Sequence, residues 1–151
     1  MNKFMKIAIA EAQKGIRAGH GGPFGAVIVK DGVMIAKGHN HVVANNDPTC
    51  HGEIDVIRKA CKKLKTFDLS GCELYTTAYP CPMCFCAILW ANINKVYYGF
   101  NTADSELIGF RDKEFEENMV DKKEHICKCI DRDECMNAYI EYKKMKNKTH
   151  Y

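Results

Sequence analysis

Four side chains have the types and spacing to hold a divalent metal and to move protons beside it. His51 and Glu53 stand two apart in His51-Gly52-Glu53, and Cys81 and Cys84 frame the later turn Cys81-Pro82-Met83-Cys84. One imidazole and two thiolates suit zinc. A structural zinc site closes with four protein donors, whereas a catalytic one uses three and leaves a position for water. His51, Cys81 and Cys84 are therefore the expected ligands, one zinc ion per subunit, and Glu53 is left free as a base. Two thiolates and a neutral imidazole around a dication acidify water less than three imidazoles would, so a nearby carboxylate should help. The expected reaction is hydrolytic: Glu53 takes a proton from the attacking water, then protonates a ring nitrogen and the departing amine. An amidine-like base meets this demand, and an ordinary primary amine does not.

The elements must place these groups together. Residues two apart on a regular helix point about 200° apart, so a site using both His51 and Glu53 must lie off a helix start. Asp47-Pro48 reads as that start, with Ile54, Ile57, Ala60, Cys61 and Leu64 as the buried stripe. Cys81 and Cys84 fall where a strand, Glu73 to Thr77, turns into a helix beginning near Pro82 and running to about Asn92. Helix amides there favour thiolate. An opening helix carries Phe4, Ile7, Ala8 and Ala12 at helical spacing. Phe24 to Lys30 and Val33 to His39 are β-rich runs joined by Asp31-Gly32, a dipeptide that tolerates a tight hairpin turn. Val96 to Phe100 reads as a strand, Asn101 to Lys123 as an irregular loop followed by a short helix, His125 to Ile130 as a last strand, and Asp133 to about Lys146 as a closing helix with Met136, Tyr139 and Ile140 on its apolar side. Such alternation predicts an α/β layered fold.

Size and charge narrow the partners. A chain of 151 residues, 46% hydrophobic, is long enough for one core and reads as a single domain over 1–151. Its 22 basic against 19 acidic residues give a formal charge of +3, too small to attract nucleic acid or anionic membranes strongly. A small neutral substrate is the expectation. No run of eighteen apolar residues and no signal-peptide pattern occurs, which favours the cytoplasm and no membrane partner. Nine cysteines, an odd number without a secretory signal, argue for thiols that bind metal or pack rather than for a disulfide framework.

H-x-E followed by P-C-x-x-C is the signature of zinc deaminases, and both halves are complete here in His51-Gly52-Glu53 and Pro80-Cys81-Pro82-Met83-Cys84. At these residues the chain resembles the cytidine deaminase superfamily, specifically its bacterial guanine deaminase branch. The runs from Gly21 to Gly32, Asn46 to Thr49 and Ile57 to Cys61 resemble that branch, as do Trp90 and Tyr151. The resemblance implies a three-layer α/β/α sandwich around a five-stranded mixed sheet, a homodimer, and hydrolysis of guanine to xanthine and ammonia. Some relatives exchange C-terminal segments between subunits. It further implies that Asn40 hydrogen-bonds the base, that Phe24 and Trp90 shape an aromatic pocket, that the Gly52 amide contacts a ring oxygen, and that Asp112 and Tyr151 lie on the substrate side. Two positions depart from the branch, which usually has alanine at Gly52 and glutamate at Tyr79. His-Gly-Glu, with Gly38-His39-Asn40 and Leu74-Tyr75-Thr76-Thr77, is also similar to fungal cytosine deaminases.

Rival readings attach to the same residues. Cytosine or a purine nucleoside such as guanosine is the alternative substrate. A tRNA adenosine deaminase would share the zinc chemistry but would bind a polyanion and so weaken steeply with salt; Lys143, Lys144, Lys146 and Lys148 keep that reading open. Cys81 and Cys84 also resemble a thioredoxin-like redox pair, which would leave His51 and Glu53 without a task. A structural zinc module would need a fourth ligand, Cys127 or Cys129. Asn40 has a plainer role satisfying backbone groups at a strand end, and Phe24 and Trp90 have one as core.

Overall fold

The computed structural model describes residues 1–149, Glu124 by its backbone only. The chain divides into two compact units, Met1–Glu116 and Glu117–Tyr151.

The first unit is built on a hairpin. β1 (Gly25–Lys30) and β2 (Val33–His39) pair antiparallel, with Lys30 opposite Val33. Asp31 and Gly32 between them both take positive φ, 50° and 72°, as the Asp-Gly dipeptide predicts for a turn matching the twist of its strands. β3 (Cys72–Ala78) joins the other side of β1 antiparallel, and β4 (Lys95–Phe100) runs parallel to β3. The order β2-β1-β3-β4 makes a mixed sheet.

Helices cover both faces. α1 (Lys3–Arg17) starts at Asn2, whose side chain accepts from the amides of Phe4 and Met5 at 2.8 and 3.2 Å. Its Phe4 and Ala8 pack on Val27, Val29 and Tyr75. On the opposite face, α3 (Gly52–Leu64) and α4 (Pro82–Trp90) bury Val56, Ala60 and Ile88, with Ala91 just after α4, against Ala26, Ile28 and Leu74. Alternate residues of β1 thus serve opposite cores, the period of two expected of a sheet covered on both sides.

Several expectations are corrected. Among the described residues the sheet has four strands, not five. The segment His125 to Ile130, read as a strand, begins inside α6 (Asp112–Ile126) and continues without regular structure; the run Asp121-Lys122-Lys123-Glu124 before it consists of residues that favour a helix over a strand. The helix expected from Asp47-Pro48 begins instead at Gly52. The Asp47 carboxylate caps a turn, accepting from the amide and hydroxyl of Thr49 at 2.8 and 2.7 Å, and a short α2 (Val42–Asn45) precedes it. Asn101 to Lys123 is largely helical: α5 (Thr102–Leu107) opens on a capping box in which Asn101 and Asp104 each bond the other's backbone amide, and α6 follows.

The second unit holds the later part of α6 and α7 (Arg132–Lys144), the expected closing helix. No residue of α7 is buried; Tyr139 and Ile140 of the anticipated apolar side are exposed. Cys50 and Cys72 are buried, as small apolar residues would be, while Cys86, Cys127, Cys129 and Cys135 are exposed. Among the described residues no helix is long and apolar enough to cross a membrane.

Candidate metal centre

The two helix starts α3 and α4 face one another, and both bring donors. His51 is the residue before α3, in extended backbone (φ −72°, ψ 159°), while Glu53 lies within its first turn. This break in helical geometry lets residues two apart serve one site. Cys81 occupies the same place before α4, Pro82 takes the first helical position, and Cys84 lies in the first turn. One donor atom each from His51, Cys81 and Cys84 lies within 4.8 Å of the others. His51 Nδ1 is 3.6 Å from Cys81 Sγ.

The donor set fits zinc in number, type and closeness, and all nine cysteines are free thiols, so Cys81 and Cys84 are available as ligands. Glu53, 4% exposed, stands beside the group: Thr76 of β3 donates its hydroxyl to Oε1 at 3.1 Å, and the Cys84 thiol donates to Oε2 at 3.5 Å. Thr76 thereby fixes the carboxyl orientation from the sheet.

Electrostatics mark the four residues as one system. The Cys84 thiol and the His51 imidazole hold the Cys81 thiol down, to about 4. The thiolate in turn raises both partners: hydrogen bonding to Cys81 lifts His51 above its ordinary value and pushes Cys84 up. Burial raises Glu53, so that this carboxyl takes up a proton more readily than a surface glutamate.

A cavity of about 500 Å³ opens over these groups, within the range of small-molecule sites. His51, Glu53 and Cys81 line it, and so do Asn40, Phe24 and Asp112. Asn40, 3% exposed, uses its side-chain oxygen to accept from the Val42 amide at 3.0 Å, which turns its NH2 group to other partners. The backbone role and a place in the cavity lining coexist in that residue. Phe24 meets Phe110 edge-on with ring centroids 4.6 Å apart. Asp112 opens α6, its carboxyl raised by burial.

Other anticipated residues fall elsewhere. Gly52 is buried at the start of α3 but is not among the described residues lining the cavity, and Trp90, at the end of α4, is 63% exposed and also outside that lining. Tyr151 lies outside the described residues. Tyr79, one of the two departures, does line the cavity and packs edge-on against Tyr98. Sequence reasoning missed Phe110 and Arg111, which line the cavity from the segment joining α5 to α6, and Phe115, which lines it from the first turn of α6; the capping residues Asn101 and Asp104 were the available sign that this region is ordered.

Comparison with known proteins agrees with this geometry. The profile described as the cytidine and deoxycytidylate deaminase zinc-binding region matches residues 1–100. A guanine deaminase of Bacillus subtilis (strain 168) is 52% identical over 109 residues, 72% of this chain and 70% of the relative. The X-ray structure of guanine deaminase from Bacillus subtilis superposes with a TM-score of 0.91 at 43% identity, covering 100% of this chain and 99% of that one. A tRNA-specific adenosine deaminase of Aquifex aeolicus (strain VF5) is 45% identical over 95 residues, 63% of this chain and 62% of the relative. With donors suited to zinc gathered at two helix starts inside the matched region, the chain belongs to the cytidine and deoxycytidylate deaminase family of zinc-binding proteins.

Proposed function

We propose that the protein hydrolyses guanine to xanthine and ammonia, with His51, Cys81 and Cys84 as zinc ligands and Glu53 as the catalytic proton carrier. The observation that carries the chemistry is the buried Glu53 carboxyl, held by Thr76 and placed beside three zinc donors without being needed as a fourth. A zinc ion at this site supplies Lewis acidity, lowering the pKa of water toward neutrality. Glu53 takes the proton of the attacking water, delivers one to a ring nitrogen so that the carbon bearing the amine becomes electrophilic, and delivers one to the amine so that ammonia leaves. Atoms balance as guanine plus water giving xanthine plus ammonia. Phe24 offers an aromatic wall and Asn40 NH2 donors to the base, and Asp112 lines the same cavity close enough to His51 and Cys81 to interact with them electrostatically.

The likeness to guanine deaminase over the full chain supports this choice of base. We further propose a homodimer. Phe85, Leu89 and Trp90 leave a large apolar part of α4 exposed, and α7 buries nothing of its own, which supports packing of the C-terminal segment against a second copy. The reading of the tRNA-specific relatives is the second one, favoured by their identity and opposed by the small net charge.

The test supplies guanine, guanosine, cytosine, cytidine, adenine and an adenosine-bearing tRNA separately to zinc-loaded protein and measures ammonia. Guanine is expected to turn over fastest. Turnover of another base without guanine rejects the substrate assignment and leaves the zinc chemistry standing; turnover only of adenosine in a tRNA, falling steeply with salt, selects the second reading.

A further inference from the structure

Three further histidines converge, two of them the chain neighbours of Asn40. His20 follows α1, His39 ends β2 and His41 precedes α2; one ring nitrogen of each lies within 4.8 Å of the others. His20 Nδ1 is 2.9 Å from His39 Nε2, with the two ring planes 17° apart, and the His41 ring stacks on His39 with centroids 4.2 Å apart.

The surroundings orient two of these rings in the manner of metal ligands. His39 Nδ1 donates to Glu11 Oε2 at 3.0 Å, and Glu11, buried on α1, is anchored by Lys37 at 3.0 Å through its other oxygen. His41 Nδ1 donates to the His39 carbonyl at 2.7 Å. Each bond places the proton on Nδ1 and leaves Nε2 unprotonated, that of His39 facing His20 Nδ1, and a carboxylate or carbonyl behind a ligating imidazole is the usual second partner of a metal-bound histidine. Room for the His39 ring against α1 comes from Gly15, where a Cβ would lie 2.5 Å from a ring carbon. The His20 carbonyl accepts from the amides of Val43 and Ala44 at 3.0 and 3.1 Å, tying its loop to α2.

We propose that His20, His39 and His41 form a second transition-metal site, for zinc or a similar imidazole-binding dication, separate from the His51, Cys81 and Cys84 centre. Without an ion a proton bridges His20 and His39. A tetrahedral dication takes the place of that proton, opens the nitrogen pair from 2.9 Å to about 3.3 Å, the span of two Zn–N bonds, and draws His41 Nε2 out of its stack. Three neutral imidazoles select zinc, copper or nickel over magnesium or calcium. The ion would clamp the loop of His20 to the end of β2, on either side of the cavity residue Asn40.

The experiment titrates the metal-free full chain with Co2+ and records its spectrum. The first site gives thiolate-to-cobalt charge-transfer absorption; the second is expected to add ligand-field bands with no further charge transfer, and zinc analysis after gel filtration is expected to give two equivalents per chain. His20→Gln with His41→Gln, both at partly exposed positions, should lose the second equivalent and keep the charge-transfer band, while Cys81→Ser should do the reverse. Saturation of the wild-type chain at one equivalent overturns the proposal, as does a second equivalent that carries thiolate absorption or survives in the double histidine variant. The wild-type spectrum decides the matter even should that variant fail to fold.

Discussion

Replacing Glu53 with Gln separates proton transfer from folding and metal binding more cleanly than any other change. The Gln side-chain oxygen can still accept from Thr76 Oγ1, which lies 3.1 Å from Glu53 Oε1, and its NH2 group falls where Oε2 now stands 3.5 Å from Cys84 Sγ, able to donate to a thiolate there. No buried carboxylate remains to desolvate, so stability should stay within about 1 kcal/mol of the wild type. What disappears is the group that takes and returns protons. One acid–base group contributes about 10²- to 10⁴-fold, and because the same carboxyl serves several transfers the upper end applies. A loss near 10⁴-fold in kcat is about 5 kcal/mol of transition-state stabilisation. The assay is ammonia release from guanine, with zinc content and melting temperature measured on the same preparation. A variant that keeps its zinc and its melting temperature but loses activity to this extent supports the reasoning. One that keeps more than about a tenth of wild-type activity refutes a proton-carrier role for Glu53, and one that loses zinc shows that Glu53 is a ligand.

Further outcomes follow from the same geometry. Because Cys81 is held as a thiolate while His51 and Cys84 are raised, zinc uptake at neutral pH should release protons, from Cys84 above all, and affinity should climb with pH; calorimetry in buffers of different ionisation enthalpy reads the release, and its absence contradicts the protonation pattern. Gly52→Ala should destabilise by about 1 kcal/mol, since its Cβ would lie 2.9 Å from the Phe24 carbonyl oxygen that accepts from the Asn40 amide; an unchanged or higher melting temperature would show that this contact yields freely. Hydrogen bonds from Thr49 and Cys50 hold the Asp47 carboxyl at about 2. Its ionised form therefore stabilises the fold above the ordinary value of 3.8, and that contribution is lost as pH falls toward about 2. Asp47→Asn should flatten the acid limb of the stability curve across that window, and an unaltered limb would remove Asp47 from the account.

The parts of the fold legible in the sequence are those where local signals agree with burial. Asp31-Gly32 between alternating apolar runs located the hairpin, and Cys81-Pro82 marked the start of α4 because proline suits a first helical position and nothing competes with it. Asp47-Pro48 misled for a physical reason: aspartate caps turns as readily as helices, and here Thr49 lies close enough to claim the carboxylate. His125 to Ile130 carries apolar residues with no pairing partner evident in one chain, so a strand and the end of a helix cannot be told apart by pattern alone.

At the site, the gathering of His51, Cys81 and Cys84 was readable because zinc demands particular atoms, whereas the cavity wall was not. Phe110 and Arg111 between α5 and α6, and Phe115 at the start of α6, reach it through the path of the chain, which no spacing rule encodes. Trp90 and Gly52 were assigned to the pocket by resemblance, and the described cavity does not include them. Thr76 is a buried strand residue whose partner, Glu53, lies 23 positions away, so only the folded chain reveals the bond. The histidines at 20, 39 and 41 carry no sequence motif; three separate elements bring them together.

X-ray absorption at the zinc edge, on full-length protein carrying a single equivalent of zinc, tests the centre most directly. The account predicts a four-coordinate shell with two sulfur donors at about 2.3 Å and two nitrogen or oxygen donors at about 2.0–2.1 Å, one of them exchangeable with solvent. A shell without sulfur, or one closed by a fourth protein donor in the active enzyme, would contradict it.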